Sequence, residues 1–111
     1  MASSLERLKA VPESLATRKG ALYILGKAAL ENDEPERAKE FLHAYLDLNP
    51  DPLYRPYAYY HLAECRRRLG DKAGGRAFDV QAASTHFGTL YERLSRERLA
   101  RERLEPEGTW V

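Results

Sequence analysis

The chain has one cysteine, Cys65, among its 111 residues, so no disulfide can form within it and the fold must rest on burial and hydrogen bonding. Long hydrophobic runs are missing too: nowhere do about 20 apolar residues follow one another, as a membrane span requires. The first twenty residues carry charges throughout, where a secretory leader needs an unbroken apolar stretch. A soluble, cytoplasmic protein is expected. Charge of one sign is also scarce. Eighteen Lys and Arg face seventeen Asp and Glu, a formal net charge of +1, so no bulk field draws the chain to nucleic acid or to an anionic membrane. No segment alternates apolar and polar residues as a half-buried strand does. The chain also lacks a glycine-rich phosphate loop, a nucleophile elbow and a zinc-protease motif. No enzyme activity, no cofactor and no metal are expected.

What is present is helical period broken by proline and glycine, and the fold class is all-α. Ser3 with Glu6 forms a candidate capping box for a first short helix, and Pro12 suits the start of another. Leu15, Leu22, Leu25 and Ala29 fall on one stripe of a helix over 13–31, which Asn32 and Asp33 end. Pro35 opens a second helix, to about Leu48, with Ala38, Phe41, Leu42, Tyr45 and Leu48 at three- and four-residue intervals. The prolines of Asn49-Pro50-Asp51-Pro52 forbid its continuation. Pro56 starts a third helix, Gly70 ends it, and Asp71 caps a fourth over 72–87. Gly88 ends that helix. Thr89 with Glu92 then caps a last helix over 90–104, which is expected to close the array through Leu90, Tyr91 and Leu94. Its leucines 94, 99 and 104 step about 140° each time around the helix, so they form no single stripe, and its later half is expected to be solvated.

Two segments repeat at an offset of 37 residues. Leu22 pairs with Tyr59, Leu25 with Leu62, Gly26 with Ala63, Ala38 with Gly75 and Tyr45 with Ala82, so small residues recur where two helices must cross closely. With Leu25-Gly26, Ala38, Leu42 and Pro50 at their spacing, the chain resembles the tetratricopeptide repeat, a helix-turn-helix unit of about 34 residues. The second unit departs from the pattern: Arg66 and Asp79 stand where aromatic or apolar residues are usual, and Phe78 is one place early for the missing ring. The resemblance implies one domain over 1–105, with units at about 19–52 and 56–88, a capping helix at about 90–104 and a tail over 106–111. Since such arrays need about three units, incomplete caps also leave open a homo-oligomer stacked through the ends.

The resemblance further implies a non-catalytic scaffold whose first helices line a concave groove for a peptide or partner helix. Matching positions place Tyr23, Lys27, Leu30 and Glu31 there from the first unit, and Tyr57, Tyr60, Glu64, Arg67 and Arg68 from the second. Tyrosines offer rigid contact area and arginines bidentate grip, which suits a peptide with acidic groups. The competing reading packs Tyr54, Tyr57, Tyr59 and Tyr60 between units and leaves the arginines in solvent. His61 and Cys65 share a helical face, but two ligands make no metal site and packing is the expected role. Arg76, Arg93, Arg96, Arg98, Arg101 and Arg103 would be the candidates for a nucleic-acid backbone, and the interspersed glutamates argue against it. The ending Thr109-Trp110-Val111 resembles the C-terminal ligands of PDZ domains.

Overall fold

The computed structural model of the chain describes residues 17–85 and 88–104. The Ser3 box, Pro12, the stretch before Thr17 and the Thr109-Trp110-Val111 ending lie outside these residues. Among these residues five α-helices follow in order, α1 (Arg18–Glu31), α2 (Pro35–Asp47), α3 (Arg55–Arg68), α4 (Lys72–Ala83) and α5 (Leu90–Leu104), with one 3-10 turn at Pro52–Tyr54 before α3. No strand occurs among the described residues. The expected all-α array of antiparallel hairpins is the observed fold.

The punctuation follows local chemistry. Thr17 caps α1, its hydroxyl accepting from the Gly20 amide at 2.9 Å. Asp33 ends the hairpin turn at φ 59°, a left-handed conformation that Asp tolerates better than most residues. Gly70, at φ 87°, ends α3 as expected, and the Asp71 carboxylate accepts from the Gly74 amide at 2.8 Å to start α4. α4 is shorter than the sequence suggests, closing at Ala83 rather than running to Phe87. There the Ser84 hydroxyl donates to the Val80 carbonyl at 2.6 Å, so a side chain competes for one of the last carbonyls.

The start of α5 is a modified capping box. The Glu92 amide donates to Thr89 Oγ1 at 3.2 Å, and the Glu92 carboxylate reaches back past the cap to the Gly88 amide at 3.0 Å and to the Thr85 hydroxyl. This buried carboxylate thus ties the end of α4 to the start of α5.

α1 packs on α2, α3 on α4, and α2 on α3, so the two hairpins stack through a shared core of Tyr23, Ala29, Leu30, Ala38, Leu42, Tyr45, Ala58, Leu62 and Cys65. The small residues sit where the sequence placed them. A side chain at Gly26 would stand 2.8 Å from Leu42 Cγ. At Gly75 it would meet Arg67 Cγ at 2.8 Å and the Ala63 carbonyl at 3.0 Å, so this glycine marks a close crossing. Phe78 stacks on Tyr59 with centroids 6.3 Å apart and so does supply a ring beside the position that Asp79 occupies.

Candidate partner-binding surface

α5 lies along α3 and α4, on positions that the repeat pattern assigns to the groove. At its first turn the Tyr91 ring sits 4.9 Å from Tyr57, 4.9 Å from Tyr60 and 5.0 Å from His61. Behind it, Tyr23 contacts Tyr57 edge-on at 6.2 Å and His61 at 6.0 Å. Burial, then the neighbouring Tyr91, Tyr45 and Tyr57, raise the Tyr23 phenol above its ordinary pKa, and burial raises Tyr91 as well. The His61 imidazole is lowered to about 3 by burial, then by Lys27 and Arg98, so it is neutral; its Nε2 has no hydrogen-bond partner among the described residues.

Further along, α5 docks through ions. Arg98 donates to both Asp79 oxygens at 2.8 and 2.9 Å, to Glu64 Oε1 at 2.8 Å and to the Tyr60 carbonyl at 3.0 Å. Its guanidinium also lies over the Tyr60 ring, 4.2 Å from the centroid. Asp79 is fully buried and takes a second arginine, Arg67 Nη1, at 2.6 Å. Arg67 in turn grips Glu102 with two bonds of 2.7 Å, and this hydrogen bonding holds the Glu102 carboxyl below its ordinary pKa. The interlock Arg67–Asp79–Arg98, flanked by Glu64 and Glu102, explains the departure at position 79. A carboxylate can replace the usual ring because two guanidiniums meet it, Arg67 from α3 and Arg98 from α5.

The expected binding residues are therefore brought together, but mostly by the chain's own last helix. Tyr23 is only 1% exposed and belongs to the core, not to an open groove. Leu30 is buried in the same core. Tyr57, Tyr60, Glu64 and Arg67 lie under α5. Arg68 spans the hairpins, donating to Glu64 at 3.0 Å, to the Leu30 carbonyl at 2.9 Å and to Asp33 at 3.3 Å. Lys27 is half-buried and Glu31 exposed, and neither forms an ion pair among the described residues. The later half of α5 is not the solvated helix expected, since Arg98 and Glu102 are its anchors. Arg98 is thereby removed from any set facing a phosphate backbone, while Arg96 pairs with Glu92 at 3.4 Å and Arg93 with Glu97 at 4.0 Å.

Sequence reasoning missed Asp79, Ser95, Arg98 and Glu102. The signal available was a carboxylate at an apolar position, which demands a counter-charge. His61 and Cys65 pack in the interior, where burial raises the Cys65 thiol to about 11. Among the described residues no cluster of three or more His, Cys, Asp or Glu can hold a metal, and no helix is long and apolar enough to cross a membrane.

Two stacked helical hairpins closed by a fifth helix define a helical-repeat protein. The sequence model of the tetratricopeptide repeat matches residues 20–52 and 57–78, the two hairpins seen in the fold. The chain belongs to the tetratricopeptide repeat family. Comparison with curated proteins and with solved structures finds no match. Repeats of this family generally mediate protein–protein interaction and are typically non-catalytic.

Proposed function

We propose that this chain is a non-catalytic module that holds another polypeptide along the strip between α1 and α3, with α5 as a side wall. One observation carries the reading. Lys27 and Glu31, four residues apart on α1, are the charges of the expected groove left without ion-pair partners among the described residues, while Glu64, Arg67 and Arg68 are engaged. A surface that neutralises most of its charges internally and leaves one of each sign at its edge suits a peptide of mixed charge. The purely acidic peptide expected from Arg67 and Arg68 is less well served, because both guanidiniums already hold carboxylates.

The test starts from a panel of short acidic, basic and mixed-charge peptides titrated against the full chain. The Lys27→Glu/Glu31→Lys variant should bind the best of them about tenfold more weakly. Its melting temperature at pH 7, where His61 is neutral, should change little, because neither side chain forms an ion pair among the described residues. Equal affinity for the swapped variant would overturn the reading.

A further inference from the structure

The face of α5 that docks is not its leucines. Tyr91, Ser95, Arg98 and Glu102 stand at i, i+4, i+7 and i+11 and so share one stripe of the helix. Each meets a feature of its own. The Tyr57, Tyr60 and His61 rings surround Tyr91, and fully buried Ser95 lets the helix approach closely. Asp79, Glu64 and the Tyr60 carbonyl receive Arg98, and Arg67 receives Glu102. Among the described residues the surface beneath is thus a receptor for an aromatic, a small residue, an arginine and a glutamate at that spacing.

We propose that α5 is the resident occupant of a helix-docking groove on α3 and α4, exchangeable for a helix of another polypeptide that presents the same four groups. This deepens the reading of the chain as a protein-binding module, and it rests on that reading. Charge complementarity argues for the occupant: the fully buried Asp79 with Glu64 calls for a guanidinium, and Arg67 for a carboxylate.

The manner of docking argues for exchange. Leu90 is 50% exposed and Leu94 and Leu99 are only half-buried, so little aliphatic surface anchors the helix. Buried ion pairs confer geometry more than net stability, because desolvation offsets much of their attraction. The helix is joined through Gly88, at φ 73°. Its tether sets an effective concentration in the millimolar range for short flexible links, so an outside helix competes only where α5 is loosened or the newcomer fits better.

The experiment uses the full chain and one probe, a fluorescent synthetic peptide of residues 88–104 read by anisotropy, with a scrambled peptide as control. The Tyr91→Ala/Arg98→Ala variant keeps the receptor and disables the resident helix. It should bind the probe, the unaltered chain should bind at least about tenfold more weakly, and Asp79→Ala added to the variant should remove binding. A folded double variant that ignores the probe, or one that binds the scrambled peptide equally, would overturn the proposal. Should circular dichroism show that the double variant has unfolded, the unaltered chain decides. At large excess of probe the α5 amides should lose protection from hydrogen exchange, and unchanged protection would overturn the proposal. Either negative result leaves the charge swap at Lys27 and Glu31 untouched, so the two failures are distinguishable.

Discussion

At Gly26 one methyl group decides how closely two helices approach. An alanine there would gain about 1 kcal/mol of helix propensity, yet its Cβ would stand 2.8 Å from Leu42 Cγ and 3.4 Å from Phe41 Cβ. Leu42 is fully buried and cannot swing away, so overpacking, which costs about 1–3 kcal/mol, outweighs the gain. Gly26→Ala should lower stability by about 1 kcal/mol in urea unfolding, and an unchanged or raised midpoint would refute the close crossing. His61 offers a different residue-scale test. Burial, then Lys27 and Arg98, hold its pKa at about 3 against an unfolded value of 6.5. Between those values the unfolded chain binds a proton that the folded chain refuses, so stability is full above about pH 6.5 and declines as pH falls. The total effect is at most about a few kcal/mol. His61→Leu should reduce this decline between pH 6.5 and 5, leaving the share of His43, which burial and then Arg66 also lower, before the depressed Glu102 carboxyl begins to contribute.

At the scale of elements, α5 is held by side chains of opposite charge rather than by an oily seam. Arg98→Ala leaves Asp79 with Arg67 alone and should release α5 from the hairpins. Hydrogen exchange should then show α5 unprotected while α1 to α4 keep their protection; uniform loss across all five helices would contradict a separable docking. The starts of α2, α4 and α5 and the end of α3 were legible in the sequence, because Pro35, Gly70, Asp71 and the Thr89–Glu92 pair act within one turn of themselves, whereas the end of α4 was placed four residues too late. The resting place of α5 was not. The attraction of Arg98 for Asp79 spans nineteen residues and leaves no mark in local periodicity. Reading the leucines alone found no stripe, since the docking stripe is polar apart from Tyr91. Sequence spacing put Tyr57, Tyr60, Glu64 and Arg67 on one face of α3, but it does not say which helix covers that face. Tyr23 illustrates the same limit, for matching it to a groove position did not foresee that Tyr45 of α2 and Tyr57 and His61 of α3 enclose it.

For the molecule as a whole, the described residues form two repeat units, fewer than an array usually needs, and α5 supplies a third surface against which the second unit packs. The same act of closure engages Glu64, Arg67 and Arg98, and leaves Lys27 and Glu31 without ion pairs among the described residues. On the function proposed above, stability and recognition would be coupled, since whatever loosens α5 would enlarge the available surface. The near-neutral net charge fits this pattern, since positive and negative groups are spent on each other inside one chain. Binding through the Lys27–Glu31 strip should weaken as salt rises, because exposed charges are screened within about 10 Å at 0.1 M, while α5 docking through buried pairs should change less. The most direct measurement is a proton NOE spectrum of the full chain with assigned tyrosine rings. With centroids 4.9 Å apart, Tyr91 should show cross-peaks to both Tyr57 and Tyr60. A Tyr91 ring with no contact to either would mean that α5 lies elsewhere, and the account of this surface would fail.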